Sequence, residues 1–298
     1  MSPVPELTTM PIAMNRSNET ARSTMTRRQF LRLAALAAAG MGALYPTFIE
    51  RNLIVTNRYR ISVPYLPEPF AGLRVIQLTD LHHGPLMPIQ TIEKVVTRAN
   101  RLAGDLIVCT GDYVRGRDTT EQINTVWPVI SRLTAPMGVF SVLGNHDHWA
   151  DTERSIHMLQ ASGQDLRHRT IALERDGRQL WLAGTGDLWE DHRDLDLLLS
   201  NIPDEACRIV LAHNPDTADT DYTSRIDLML SGHTHGGQVN LPFVGAPVVP
   251  VRNKTYTSGL KLSPRGTQVF ISKGIGWAVV PVRFNCYPEI AVLELVQG

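Results

Sequence analysis

The sequence predicts an α/β fold in which two β-sheets pack face to face and helices cover their outer sides. Between residues 73 and 161, short apolar runs typical of buried strands alternate with segments in which apolar residues recur at helical spacing. After residue 161 this alternation stops, and strand-like runs follow one another through a hairpin to the C-terminus. Parallel strand–helix units followed by hairpins are typical of two packed sheets with outer helices.

The composition excludes some classes of protein and sets the size of the core. The chain has 298 residues and 43% hydrophobic content, which suffices for one large core or two small ones. Its 29 basic and 29 acidic side chains cancel, and without a basic stripe we expect no nucleic-acid partner. Cys109, Cys207 and Cys286 all fall in or beside strand-like runs, so we expect buried free thiols and not a disulfide framework.

The N-terminal segment carries the pattern of an export signal. After a polar stretch at 1–25, an apolar run rich in Ala, Leu and Gly spans 33–44 and has no polar face to turn towards water. The residues that lead into this run are Thr26, Arg27, Arg28, Gln29, Phe30, Leu31 and Arg32. They resemble a twin-arginine export signal, with charged, apolar and small-residue regions in the required order. The other interpretation is a helix of the folded domain.

Residues 1–49 are therefore predicted to be a signal and 50–298 the folded domain. Extended through Ile49, the apolar stretch reaches about 17 residues, near the lower limit for crossing a bilayer, so the signal could stay as a membrane anchor. A clean Ala-x-Ala cleavage site is not evident. We expect export by the twin-arginine machinery to the periplasm or the outer face of the cytoplasmic membrane, with membrane association as an open alternative.

The domain is predicted to begin with strands at 53–55 and 59–63 and a Pro-rich connection. Further strands are expected at 73–78, 105–109 and 139–143, and helices between and after them at 89–102, 121–133 and 152–161. Asp176-Gly177 between two strand-like runs indicates a hairpin. The remaining strands are expected at 208–211, 226–230, 269–272 and 290–295.

The segment 236–284 is rich in Pro and Gly and repeatedly apolar. It could form an apolar lip over a binding cleft, which would suit a lipid-linked substrate, or it could supply core for the last strands. The core interpretation is favoured.

Polar residues of the kind that bind metals follow five of the predicted strands. Asp80 and His82 follow the first, and positions i and i+2 of an extended chain point to the same side. The other blocks are Gly111-Asp112, Gly144-Asn145-His146-Asp147, His213 and Gly232-His233-Thr234-His235. Ligands bind outside the carboxyl ends of strands in α/β sheets, so these blocks should meet. Any one of them alone could be a helix cap or a turn.

In this order the five blocks resemble the calcineurin-like metallophosphoesterase family, over most of residues 53–298. Within the family, the chain is most similar to an exported branch with a twin-arginine leader, whose members act as phosphodiesterases. UDP-2,3-diacylglucosamine pyrophosphatases are among the related groups. The resemblance implies a four-layered α/β/β/α sandwich.

The resemblance also implies a dinuclear site with seven metal ligands. Asp80, His82 and His235 would hold the first ion; Asn145, His213 and His233 the second; Asp112 would bridge them. Oxygen and imidazole ligands without thiolate suit Mn, Fe or Zn. A hydroxide bridging the two metals would then attack phosphorus.

His146 is expected to act on the leaving group as general acid or charge stabiliser without binding metal, oriented by Asp147 through its other ring nitrogen. Arg115 and Arg117 could reach a substrate phosphate. Asp187 is interpreted as a turn residue.

The predicted function is that of a dinuclear metal-dependent phosphoesterase, more a phosphodiesterase than a monoesterase. One alternative is a pyrophosphatase of the UDP-2,3-diacylglucosamine type, acting on a lipid-linked substrate. The other is a non-catalytic metal-binding envelope protein, which would need the ligands but neither His146 nor Asp147.

Overall fold

The structure, a computed structural model, describes residues 25–298. Residues 1–24 of the predicted polar stretch lie outside the described residues. The strands are β1 (Val55–Val63), β2 (Leu73–Leu78), β3 (Leu106–Thr110), β4 (Val139–Val142), β5 (Arg169–Arg175), β6 (Arg178–Gly184), β7 (Cys207–Leu211), β8 (Leu228–Ser231), β9 (Gly259–Leu262), β10 (Gln268–Ile271) and β11 (Glu289–Gln297). The helices are α1 (Arg27–Leu44), α2 (Ile89–Arg101), α3 (Thr120–Ile130), α4 (Asn145–Ala161) and α5 (Leu195–Leu199).

The strands form two sheets. The first has the order β1-β11-β2-β3-β4, and the second has the order β5-β6-β7-β8-β10-β9. β2, β3 and β4 run parallel, as do β6, β7, β8 and β10. Parallel strands covered on both faces are built from nearly continuous apolar residues, which is the pattern of β2, β3 and β7.

Three apolar clusters fill the space between the layers. One lies between the two sheets and includes Val75 and Val108 of the first sheet and Leu182 and Phe270 of the second. A second packs α2, α3 and α4 on the outer face of the first sheet. A third covers the second sheet with α5 and loops. The predicted α/β/β/α sandwich is confirmed, with a thin fourth layer because α5 has five residues.

Several predicted elements have different bounds. The two strands expected at 53–55 and 59–63 are one strand, β1, which pairs with β11 over its whole length. α4 consists of two helical segments that meet at a kink at Asp151, whose backbone is extended at φ −171°. The second segment is the helix predicted at 152–161, and the first, which begins at Asn145, was not predicted. The sequence patterns missed α5 and the edge strand β9.

The apolar residues of 236–284 are mostly exposed. Val249 and Trp277 are buried, as the core interpretation requires. The others are exposed: Leu241, Phe243, Val244, Val248, Val279 and Val280. The favoured core interpretation is therefore wrong for this larger group, because the loops that carry these residues run over the surface.

The three cysteines are buried and free, as predicted. Burial raises the pKa of the Cys109 thiol to about 12, so this thiol stays protonated at neutral pH.

The N-terminal segment is helical. Thr26 and Gln29 form reciprocal hydrogen bonds at the start of α1: the Thr26 backbone N–H donates to Gln29 Oε1 at 2.9 Å, and the Gln29 N–H donates to Thr26 Oγ1 at 3.2 Å. By length and composition alone, the helical stretch Arg27–Asn52 could cross a membrane, a property that it shares with signal sequences near an N-terminus. Residues Ala43–Gly298 form one compact unit.

Candidate metal centre

The carboxyl ends of β2, β3, β4, β7 and β8 bring the five sequence blocks to one edge of the sheets. The seven predicted ligands are buried there: Asp80, His82, Asp112, Asn145, His213, His233 and His235. Six of them, together with His146, offer ligand atoms that fall into three close groups, two of which contain predicted ligands only. Asn145 lies between Gly144 and His146, and the His146 N–H donates to Asp112 Oδ1 at 2.9 Å.

The first group consists of Asp80, His82 and His235. The Nε2 atoms of the two histidines are 3.0 Å apart, and His235 Nε2 lies 3.3 Å from Asp80 Oδ1. The two imidazoles stack, with ring centroids 4.8 Å apart. Three ligand atoms therefore converge on one point.

The second group consists of Asp112, His213 and His233. His213 Nε2 lies 3.1 Å from His233 Nδ1 and 3.3 Å from Asp112 Oδ2. The same Asp112 oxygen is 3.5 Å from His82 Nε2 in the first group. The Asp112 carboxylate thus stands between the two groups.

Backbone carbonyls orient the histidines of the second group. His213 Nδ1 bonds to the Thr110 carbonyl at 2.7 Å, and His233 Nε2 to the Pro250 carbonyl at 3.1 Å. A carbonyl oxygen accepts a hydrogen bond, so the ring nitrogen that faces the carbonyl carries the proton. The other ring nitrogen of each histidine is directed into the site.

Five of the predicted ligands have left-handed backbone conformations, with φ between 48° and 69°. They are Asp80, His82, Asp112, His233 and His235. The prediction was that such pairs converge because residues i and i+2 of an extended chain point to the same side. This explanation is therefore wrong. The pairs converge because the chain turns sharply after each strand, a conformation that surrounding bonds must hold in place. The Asp80 N–H donates to Gly111 O at 2.9 Å, and the His82 N–H to Asp112 O at 3.0 Å.

Two glycines leave room for the carboxylates. A Cβ atom at Gly144 would lie 2.3 Å from Asp112 Oδ1, and one at Gly232 would lie 2.4 Å from Asp80 Oδ2. Both contacts are far too short, so only glycine fits at these positions.

His146 is oriented differently from the prediction. Its Nδ1 bonds to the Arg115 carbonyl at 3.1 Å, in the place where Asp147 was expected. The Asp147 carboxylate instead accepts the N–H groups of Asp112, Tyr113 and Gly144 at 2.8–2.9 Å. Asp147 therefore holds the loop that presents the Asp112 carboxylate. The predicted role of Asp147 as the partner of His146 is wrong because the turn after β3 brings the Arg115 carbonyl to that position.

Burial keeps three of the imidazoles neutral. It lowers the pKa of His82 to about 3, that of His233 to about 3, and that of His235 well below its usual range. Burial also raises the pKa of Asp80 to about 6. Neutral imidazoles are the form that binds metals.

Asp112 and His213 form a charged pair. Burial alone would raise the pKa of Asp112, but the charges of His213 and His146 outweigh this effect and hold it well below its usual range. Burial alone would lower the pKa of His213, but the Asp112 carboxylate raises it to about 10. Metal binding at His213 should therefore release a proton.

The residues at this edge fit a pair of divalent metal ions. The set offers carboxylate, amide and imidazole atoms without thiolate, which are the ligands of Mn, Fe or Zn sites. Within the described residues, the buried Oδ1 of Asn145 has no hydrogen-bond partner, which is costly for a polar atom unless a ligand binds it. Which ligand belongs to which metal stays a prediction.

Two tryptophans flank the site and were not singled out from the sequence. Trp149 lies 4.7 Å from the His146 ring and Trp189 lies 4.6 Å from the His233 ring, between centroids. The two indoles are nearly parallel, with centroids 6.3 Å apart, and Trp189 is half exposed. The motif Gly144–Asp147 could have indicated Trp149, which is two residues further on, but no local signal indicates Trp189.

Arg283 is a buried residue that sequence analysis also missed. Its guanidinium donates to the carbonyls of Lys273 at 2.8 Å and Gly276 at 2.9 Å. The Gly276 N–H in turn donates to Asp80 O at 2.6 Å. Arg283 thus holds the loop that supports Asp80, and a lone arginine in an apolar segment was the available signal.

The arginines after Asp112 have partners other than a phosphate. Arg115 Nη2 donates to the Val279 carbonyl at 2.8 Å, and the Arg117 guanidinium lies 4.0 Å from the centre of the Trp149 ring. Asp187 is a turn residue, as interpreted, because its Oδ1 accepts the N–H groups of Trp189 and Glu190.

Comparisons with known proteins agree with this site. The family model for calcineurin-like phosphoesterases matches residues 73–237. The uncharacterised metallophosphoesterase YkuE of Bacillus subtilis is 35% identical over 283 residues, which cover 91% of this chain and 98% of the relative. The phosphodiesterase YaeI of Escherichia coli is 33% identical over 279 residues, covering 91% and 100%. The UDP-2,3-diacylglucosamine pyrophosphatase LpxG of Chlamydia muridarum is 26% identical over 317 residues, covering 88% and 95%. Since the family match spans every block from Asp80 to His235, this chain belongs to the calcineurin-like phosphoesterase family and is a metallophosphoesterase.

Proposed function

We propose that this chain is an exported, dinuclear metal-dependent phosphodiesterase. The observation that carries the proposal is the position of the Asp112 carboxylate, with its Oδ2 3.5 Å from His82 Nε2 and 3.3 Å from His213 Nε2. A carboxylate between two donor groups is what a site for two ions requires. The similarity to a phosphodiesterase at 33% identity supports the diester class.

The first ion would be held by Asp80, His82 and His235, the second by Asn145, His213 and His233, and Asp112 would contact both. When bound, such ions supply a nucleophile at neutral pH and positive charge against the phosphoryl oxygens.

His146 would assist the leaving group. Its Nδ1 proton is engaged by the Arg115 carbonyl at 3.1 Å, so a protonated ring presents Nε2–H as the proton donor. The His82 ring stands edge-on at 4.6 Å between centroids and holds the plane of His146. In this arrangement His146 delivers a proton to the leaving oxygen and returns to the neutral form.

The proposed location rests on the N-terminal segment. Arg27 and Arg28 open α1 directly before the apolar run, as in a twin-arginine signal. The stretch to Asn52 is long and apolar enough to stay in the membrane as an anchor. A twin-arginine route carries folded proteins, and buried free thiols such as Cys109 agree with folding before export.

A pyrophosphatase acting on a UDP-sugar lipid is the second candidate. Two observations favour it: the similarity to LpxG over 88% of this chain, and the half-exposed Trp189 beside the metal ligands. An exposed indole face can stack on a base such as uracil, a contact worth about 1–3 kcal/mol.

Turnover of three substrates by the Mn-loaded full chain tests the proposal. They are bis-p-nitrophenyl phosphate, p-nitrophenyl phosphate and UDP-2,3-diacylglucosamine. We expect the diester to be hydrolysed faster than the monoester, and fastest turnover of the UDP lipid would favour the second candidate. The control is His192→Ala, at an exposed histidine, which should behave as the native chain. Inertness towards all three would favour the non-catalytic metal-binding protein.

A further inference from the structure

A set of large apolar side chains stands in water beside the metal centre. We call it the apolar rim: Leu241, Phe243, Val244, Val248, Val279 and Val280. Phe243 is fully exposed, and Val279 is 85% exposed. Single exposed apolar residues are normal, but a cluster of them indicates an interaction surface.

The rim is one surface built from two loops. The loop 238–248 bridges to the loop 278–284 between Val239 and Phe284. The Asn240 N–H donates to Phe284 O at 2.8 Å, and the Phe284 N–H to Gln238 O at 2.8 Å. These bonds fix both loops, so their apolar side chains are held outward by a defined backbone.

The rim adjoins the catalytic edge. Gln238 follows His235 by three residues. On the other loop, the Val279 carbonyl accepts from Arg115 Nη2 at 2.8 Å, and the carbonyl of the same Arg115 orients His146. Whatever covers the rim therefore lies next to the leaving-group side of the metal centre.

The charge of this part of the chain suits an anionic surface. From Leu228 to Pro288 the sequence contains no Asp or Glu. Of its six basic residues, Arg283 is buried and Arg265 pairs with Asp221, which leaves Arg252, Lys254, Lys261 and Lys273. Arg252 and Lys254, both exposed, follow the rim residue Val248 closely in sequence. Basic residues beside an apolar surface are attracted to anionic lipid head groups.

The rim also contacts the chain at 46–51, within the compact unit Ala43–Gly298. Arg51 Nη1 donates to the Pro281 carbonyl at 3.2 Å, and the Arg283 N–H donates to the Pro46 carbonyl at 3.1 Å. The loop that carries Val279 and Val280 is therefore bonded to the first residues of this compact unit, at Pro46 and Arg51.

We propose that the apolar rim contacts a lipid bilayer and opens the metal centre towards phosphoesters of membrane lipids. The substrate class rests on the proposed function, whereas the bilayer contact rests on the rim itself. The acyl chains of such a substrate would stay among the lipids beside Phe243. Its phosphoester group would meanwhile reach the metal centre.

An environment-sensitive probe on the rim of the full chain tests the contact. Phe243→Cys adds one exposed thiol to a chain whose native thiols are buried, so an NBD maleimide labels that position selectively. The matched control is Gln179→Cys, at an exposed residue near the start of β6. Since β6 runs parallel to β7, which ends just before His213, position 179 lies at the edge of the sheet away from the metal centre. Both proteins are reconstituted into vesicles of phosphatidylcholine, with and without phosphatidylglycerol.

We expect the NBD emission at position 243 to shift to the blue and to be quenched by brominated acyl chains, more strongly with phosphatidylglycerol. The probe at 179 should remain in water. Equal emission and no quenching at both positions would overturn the proposal. So would a blue shift at 243 that follows protein concentration and ignores brominated lipid, since it would identify a second copy of the chain as the occupant.

Turnover of bis-p-nitrophenyl phosphate by the same labelled proteins separates this inference from the proposed function. Inert protein with a lipid-quenched probe would contradict the enzymatic proposal and keep the bilayer contact. Active protein whose probe stays in water would support the enzymatic proposal and contradict the bilayer contact.

Discussion

At the scale of single residues, Asp112 has the largest expected effect on metal content. Its Oδ2 lies within 3.5 Å of a histidine from each donor group, and it is held by a loop that Asp147 organises. A negative carboxylate between two cations offsets their repulsion, which a neutral amide does poorly.

We therefore predict that Asp112→Asn lowers metal content more than a change of any ligand assigned to one ion. The comparison is His235→Asn, which should lose at most the first ion. Elemental analysis of both purified variants measures the metal per chain. Two full equivalents in Asp112→Asn would show that Asp112 is not the bridge.

His146 is predicted to take part in the reaction without binding metal. His146→Ala should keep both ions and the native fold, while kcat falls by about 10²–10⁴-fold for an ester with an alkoxide leaving group. A nitrophenolate leaves without protonation, so the loss should be much smaller for a nitrophenyl diester. Rates on both esters, together with metal analysis, distinguish the roles. Equal slowing on both esters, or loss of metal, would contradict a role as proton donor.

The sequence was sufficient to predict that six of the seven expected ligands lie close together, because the carboxyl ends of neighbouring strands meet at a known edge of the sheet. It was insufficient for the contact that orients His146. That contact comes from a backbone carbonyl, at Arg115, which any residue type can provide. The tryptophan at 189 could not be predicted for a similar reason, since only the loop after β6 brings it to His233.

At the scale of structural elements, the loop between β10 and β11 depends on one buried cation. The Arg283 side chain donates to the Lys273 and Gly276 carbonyls, and the Gly276 N–H supports Asp80. Burial lowers the pKa of Arg283, so its desolvation has a cost that these bonds offset.

Arg283→Met should therefore destabilise the protein strongly. Each buried carbonyl left without a donor costs about 1–3 kcal/mol, so we expect a loss of at least about 3 kcal/mol in the free energy of unfolding. The control is Arg60→Met, which removes a solvent-exposed ion pair with Glu294 and should cost less than about 1 kcal/mol. Urea denaturation of both variants measures the difference. Equal stability of the two would show that the carbonyls find other donors.

Buried parallel elements were the easiest to predict from the sequence. β2 and β3 are continuous apolar runs, and α2 repeats Ile92, Val95, Val96 and Ala99 on one face. β1 was divided into two because it is an edge strand with polar residues in its middle. α5 was missed because five residues are too few to establish a helical period.

At the scale of the whole molecule, the apolar rim and the N-terminal segment concern the same question, which is where the enzyme works. The rim was interpreted as core from its composition, since an apolar loop residue and a core residue have the same sequence signature. Only the path of the loops distinguishes them, and that path depends on the bridge from Val239 to Phe284.

The last prediction concerns export. Changing Arg27 and Arg28 together to lysine keeps the charge, the helix propensity and the bonds between Thr26 and Gln29 that begin α1. Only the planar guanidinium groups are lost, and lysine cannot reproduce their fixed set of donors. If the twin-arginine machinery recognises this pair, the double variant should accumulate inside the cell. The control, Arg32→Lys, changes an arginine of the same helix outside the pair and should be exported normally. Fractionation of cells, followed by detection of the protein in the cytoplasmic and envelope fractions, gives the result. Equal export of the double variant and the control would show that the protein reaches its destination by another route.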